Sequence, residues 1–226
     1  MERGTKRFKG VGKPTSAARA RLANAKANIQ RIPVQLVRSG GRMPSGELKD
    51  NTVTNNTALV TFGSTAGQSV LLNGLLMGTS ATTRVGRRIT IKSIYLRYFA
   101  CVASGTTLAS PIRLMIVMDK QTNAVACGAT DVLLADAICS PNNLSNGRRF
   151  VTLMDKTIDG IAAAGPQSAH LEFYKKTSLE VQYNTGNAGT VADIQSGSLY
   201  LFVWSSGGLG VASPSGQYYS RIRFED

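Results

Sequence analysis

From about residue 43 onward, apolar and polar side chains alternate with a period of two, the mark of strands with one buried face. In Ser178–Tyr183, Leu179, Val181 and Tyr183 alternate with Ser178, Glu180 and Gln182. In Pro111–Asp119, Ile112, Leu114, Ile116 and Met118 share one face, with Arg113 opposite. Arg88–Val102 reads as one long strand whose apolar phase slips by one residue, from Ile89 and Ile91 to Ile94, Leu96 and Tyr98. That slip predicts a bulge or strong bend near Lys92-Ser93. Gly197–Ser205 is apolar on both faces and holds Trp204, which predicts a central strand or one at an interface. Further strands are expected at 47–53, 57–62, 149–155, 168–175 and 216–224.

Between these runs lie Gly-, Ser-, Thr- and Asn-rich loops at 63–68, 103–110, 184–197 and 206–216. The longest loop, 120–148, is expected to hold one helical turn at Asp131–Asp136 with Thr130 as its cap. Eight or nine strands with no alternating helices predict an all-β fold, an antiparallel sandwich or jelly roll, over any α/β arrangement.

The first 42 residues follow different rules. They hold eleven basic residues, Arg3, Lys6, Arg7, Lys9, Lys13, Arg19, Arg21, Lys26, Arg31, Arg38 and Arg42, against one acid, Glu2. The whole chain carries +13, so this arm supplies +10 and residues 43–226 only +3. Of the aromatic residues, only Phe8 lies in the arm. The chain therefore divides into a basic arm, 1–42, and a nearly neutral core-forming body, 43–226. Residues 1–14 are Gly- and Lys-rich and read as flexible. Residues 16–31 predict a short amphipathic helix with Ser16 as N-cap and Ala18, Leu22, Ala25 and Ile29 on one face. A helix this short forms on a partner rather than alone. So concentrated a charge predicts a polyanion, nucleic acid first. The helix's apolar face is mostly alanine, which argues against a membrane, and a run of 18 apolar residues occurs nowhere.

Few catalytic arrangements are open to this chain. It has one histidine, His170, which rules out a multi-His metal site. His170 and Glu172 fall two apart on one strand face, a spacing that reads as a structural hydrogen bond. Gly63–Ser69 has the composition of a phosphate loop but lacks its lysine, and reads as a turn. No carboxylate spacing indicates calcium, so neither metal nor cofactor is expected. Three cysteines without a C-x-x-C pair fit reduced thiols. In the body, Arg84, Arg87, Arg88 and Lys92 cluster before the long strand and are the candidates there for extending the polyanion-binding surface. For most other body cations, ion pairs and solvated faces are the expectation.

The segment from Gly78 to Tyr98, GTSATTRVGRRITIKSIYLRY, resembles a segment of the capsid proteins of small circular single-stranded DNA (CRESS-DNA) viruses. These in turn resemble satellite tobacco necrosis virus coat protein. Further similar pieces follow in order at Pro111–Gln121, Ser140–Leu144 with Arg149-Phe150, Leu153–Lys156 and Tyr218–Phe224. The resemblance spans about residues 45–226. It implies a single jelly roll of eight main strands and a closed icosahedral (T=1) shell of sixty identical subunits. The arm would lie inside on single-stranded nucleic acid, DNA by the resemblance, and no catalytic site is implied. A virion location follows, with assembly in the host nucleus and host nuclear import factors as possible partners. The arm's charges read phosphate rather than sugar, so they do not themselves separate DNA from RNA. The competing expectation is a cellular nucleic-acid-binding β protein with a basic extension.

Overall fold

The computed structural model describes residues 47–61, 67–101, 110–161, 168–205 and 215–226. All of these belong to the unit Gly46–Asp226. The arm, its amphipathic helix and its eleven basic residues lie outside the described residues.

Nine strands are described: β1 (Lys49–Thr61), β2 (Gln68–Leu71), β3 (Arg88–Cys101), β4 (Ser110–Asp119), β5 (Phe150–Ile161), β6 (Ser168–Tyr183), β7 (Ile194–Ser196), β8 (Ser198–Ser205) and β9 (Ser215–Glu225). They form two sheets, β1-β9-β3-β6-β7 and β2-β8-β4-β5, and every strand pairing is antiparallel. The chain crosses from one sheet to the other between β1 and β2, β2 and β3, β3 and β4, β5 and β6, β7 and β8, and β8 and β9. The β1–β2 ribbon thus pairs with β8–β9, and the β3–β4 ribbon with β5–β6. That strand order is a jelly roll, with the short β7 added at the β6 edge.

The core lies between the sheets. One side contributes Ile89, Ile91, Ile94, Leu96, Tyr98, Ile222 and Phe224; the other contributes Ile112, Leu114, Ile116, Leu199, Leu201 and Val203. The phase slip in β3 is real: its register shifts between Ile91 and Ser93 against both neighbours, with Lys92 the extra residue against β9 and with Thr177 and Ser178 of β6 standing opposite Lys92 on the other side. The bulge lets apolar side chains on either side of it face the same core.

β8 is buried along its whole length. Leu199, Leu201 and Val203 face the main core, while Tyr200, Phe202 and Trp204 face a second cluster with Met115, Val117, Cys127, Val132 and Leu133. The long 120–149 connection lies over the four-stranded sheet and supplies that second cover. β8 is therefore central, and its double apolar face is accounted for inside one chain. Asp136 Oδ1 ties the cover down by accepting from Trp204 Nε1 and from the Gly67 amide, both at 2.8 Å. A Cβ on Gly67 would fall 2.3 Å from Trp204 Nε1, so only glycine permits this approach.

Several boundaries differ from the sequence expectation. The runs 47–53 and 57–62 are one strand, whose pairing with β9 shifts register between Asn55 and Val60. The runs 168–175 and 178–183 are also one strand, β6, opposite the β3 bulge. The helical turn is α1 (Ala129–Val132), preceded by Gly128 rather than Thr130. Asp131 Oδ2 accepts from the Gly128 amide at 2.8 Å. The turn stops at once because Leu133 goes into the second core.

Candidate nucleic-acid interface

The connections 72–87 and 184–193 meet at the end of the sandwich where the body begins and the chain ends. Lys49 Nζ binds Asp226 at 2.7 Å and donates to Thr83 O at 3.1 Å. Asp226 also accepts from the Val85 amide at 3.2 Å. These contacts fix the segment that carries the four candidate body cations.

The four do not behave alike. Arg84 is fully buried. Its guanidinium donates to Leu75 O at 3.3 Å, to Gly86 O at 2.9 Å and to Gly186 O. It also lies 4.2 Å from the centroid of the Tyr183 ring. Its donors are turned to the protein's own carbonyls, so the expectation that Arg84 joins a phosphate-facing cluster is corrected: it clamps the 72–87 segment to the 184–193 segment. Arg87 and Arg88 are exposed at the start of β3. Lys92 is half-exposed at the bulge and paired with Glu225 at 2.8 Å. Within the cluster, Arg87 and Arg88 are the two members left exposed.

Two other body arginines serve the fold. Arg113 makes a two-pronged pair with Asp155, at 2.9 and 2.7 Å, and donates to Ile138 O and Ser140 O. Arg149 makes a similar pair with the fully buried Asp119, at 2.9 and 2.7 Å. These carboxylate bonds push both guanidinium pKa values up, so both stay charged. The Arg149–Asp119 pair anchors the 120–149 connection to β4, and Arg113 does so through Ile138 O and Ser140 O while its pair with Asp155 joins β4 to β5.

The outward face of the five-stranded sheet carries a pattern that sequence reading did not assemble. Tyr95 of β3 sits directly across from Tyr174 of β6 and Arg221 of β9. One step along, Arg97 sits between Glu172 and Tyr219; the next step places Phe99 between His170 and Gln217. Tyr174 is 58% exposed, Phe99 40% and Tyr219 38%. Arg97 and Arg221 lie 6.0 and 5.8 Å from the Tyr95 ring. Tyr95 donates to Glu172 at 2.9 Å, which raises its phenol pKa, and Arg97 lies 3.6 Å from the same carboxylate. The shared face expected of His170 and Glu172 is observed, with Glu172 engaged by Tyr95 and Arg97 instead. The signal in the sequence was the recurrence of aromatic and arginine at i, i+2 on the polar side of two strands, Tyr95-Arg97-Phe99 and Tyr219-Arg221-Arg223.

Among the described residues, no group of three or more His, Cys, Asp or Glu is placed to hold a metal. Cys101, Cys127 and Cys139 are free thiols. Burial pushes the Cys127 thiol up to about 12.

No protein-family model matches the chain, and no curated protein is similar to it in sequence. Among solved structures, dimeric latent PorU from Porphyromonas gingivalis aligns with 81% of this chain at 11% identity and a TM-score of 0.36. The chain spans only 14% of that protein's length. Desmodium yellow mottle tymovirus aligns over 80% of this chain and 88% of its own, at 9% identity and a TM-score of 0.34. Cocksfoot mottle virus aligns over 99% and 94%, at 13% identity and a TM-score of 0.32. Likenesses at these scores carry no argument about function. The jelly roll rests on the strand order, and the functional reading rests on the chain's own charge.

Proposed function

We propose that this chain is a non-enzymatic viral coat protein that closes into a small icosahedral shell and packages a single-stranded genome through its basic arm. The observation that carries the reading is the partition of charge: +10 on residues 1–42 and +3 on a body that folds as a jelly roll. A body of this kind tiles a shell, and an arm of this kind neutralises phosphate. The order of capsid-like sequence pieces along 78–224 adds sixty-fold T=1 assembly, a DNA genome, a virion location and passage through the host nucleus. A basic arm also suits host import factors.

Arithmetic bounds the packaging. Sixty arms at +10 supply about 600 positive charges, enough to neutralise roughly 600 nucleotides at one charge each. A longer genome needs cations from the body or from solution, and the exposed Arg87 and Arg88 are body candidates. The test is deletion of residues 1–42. The truncated chain keeps every strand of the jelly roll, and its particles lose their nucleic acid, read as a fall in the 260/280 nm absorbance ratio. Truncated particles as rich in nucleic acid as full-length ones would refute the arm's role.

A further inference from the structure

The geometry points to a second nucleic-acid site on the body: the outward face of β9-β3-β6 is a stacking platform for single-stranded nucleic acid, with Tyr95, Tyr174 and Tyr219 as base-stacking rings and Arg97 and Arg221 as phosphate contacts. This deepens the packaging reading above and rests on it for the identity of the polymer.

Four observations converge. First, three large aromatic rings, Tyr174, Phe99 and Tyr219, stand 38–58% exposed on one sheet face, with Tyr95 half-buried among them. Second, the rings and cations interleave by register. Tyr95 has Tyr174 on one side and Arg221 on the other, and Arg97 has Tyr219 beside it. Arg221 and Arg97 already lie near the Tyr95 ring, which holds their forks at the level of the rings. Third, an open concavity of about 140 Å³ lies among Arg97, Phe99, Gln217, Tyr218 and Tyr219, beside the stacking rings. Fourth, Arg223 continues the row of cations on β9, so that Arg97, Arg221 and Arg223 stand against Glu172 among the rings and Asp50 across from Arg223.

The spacing selects the occupant. Tyr95 and Tyr174 face each other across neighbouring strands, about 5 Å apart, and Tyr219 lies diagonally from Tyr95 at about 7–8 Å, both wider than the 3.4 Å repeat of stacked bases in a duplex strand. Bases seated on successive rings are therefore drawn apart, which a single strand tolerates and a duplex does not. Exposed aromatic rings on a sheet face with flanking arginines are the physical means by which proteins hold unpaired bases without reading sequence. A second copy of the chain is the competing occupant. The charge disfavours it, since a two-fold contact would set Arg97, Arg221 and Arg223 against their own copies.

The experiment uses the full-length protein with a thymine 20-mer and a duplex of the same length. Affinities are measured across a salt series for wild type, for the Tyr95→Ala/Tyr174→Ala/Tyr219→Ala variant and for the matching Tyr→Phe variant. Particle mass and near-ultraviolet circular dichroism are recorded for each. Wild type is expected to prefer the single strand, most clearly at high salt where arm contacts weaken. The alanine variant is expected to lose about fivefold or more of single-strand affinity per ring while duplex affinity holds. Phenylalanine restores the preference because it keeps the ring. Ultraviolet crosslinks to the thymine strand should fall on the three tyrosines as well as the arm. An alanine variant that is folded, assembled and binds the single strand as wild type does overturns the platform. So does a variant whose only defect is loss of particles, since the face would then be an interface between copies. Failure of wild type to bind any nucleic acid overturns the packaging reading itself, a distinct result.

Discussion

Arg84 offers a sharp test because sequence and structure assign it opposite roles. Arg84→Ala removes donors from the carbonyls of Leu75, Gly86 and Gly186 and empties the space over the Tyr183 ring. Each buried carbonyl left without a partner costs about 1 kcal/mol, and a desolvated cation–π contact is worth about 2 kcal/mol. Water entering the vacated space returns part of this sum, leaving a loss of about 3–4 kcal/mol. With a urea m-value of about 2 kcal/mol/M, the midpoint should fall by about 1.5–2 M. Arg84→Lys should recover little, since one ammonium cannot replace a planar fork aimed at three carbonyls. Trp204 is the sole tryptophan and is fully buried, so its fluorescence reports unfolding of the body directly. Protein concentration must be held constant, because assembly stabilises the folded chain by mass action. Nucleic-acid affinity of the folded variant should match wild type. An Arg84→Ala protein with an unchanged midpoint, or one of normal stability with weakened binding, refutes the clamp assignment.

Other outcomes follow from the same structure. Arg19→Ala/Arg21→Ala/Lys26→Ala should weaken binding to unrelated single strands by similar factors and flatten the salt slope by up to about one unit per lost contact; a strong preference for one sequence would contradict phosphate binding. Cys139 is exposed and should react with a thiol reagent at pH 8 in the folded protein, while Cys127, buried with its pKa near 12, should react only on unfolding. Equal rates at the two positions would count against the second core. Stability should fall on raising the pH above about 9, because burial raises the pKa values of Cys127, Tyr98, Tyr183 and Tyr200. The unfolded chain then releases protons that the folded chain retains, so the stabilisation is complete below the unfolded pKa values and is lost as pH climbs toward the folded ones. A urea midpoint that holds steady from pH 8 to 11 would refute that linkage.

What was legible in the sequence was periodic. The phase slip at Lys92 marked the bulge because a register change must move apolar residues by one step to keep them inside. The unbroken apolar run 198–205 marked the central strand. What was not legible depended on length or on partners. β2 and β7 have four and three residues, too few to show a period; β7 falls within the 184–197 loop and no strand is expected at β2. Lys175-Lys176 looked like a strand end, yet β6 runs through them, with Lys175 Nζ reaching Leu153 O at 3.2 Å. Arg84 stood among basic neighbours, and local sequence does not reveal which member of a cluster turns inward; that takes the carbonyls of Leu75 and Gly186, nine residues before it and 102 after it. The ring platform required the register of three strands remote in sequence. Burial of β8 on both faces also removes one sequence argument for assembly, since its outer side meets the 120–149 connection and asks for no neighbour.

Assembly therefore needs its own measurement, and the native mass of the purified full-length protein tests it most directly. Light scattering with electron microscopy should find closed, uniform particles of about 1.4 MDa of protein, sixty copies of a 24.0 kDa chain, with nucleic acid inside. A monodisperse species near 24 kDa across pH and salt would contradict the coat-protein account and leave a cellular nucleic-acid binder with a basic extension in its place.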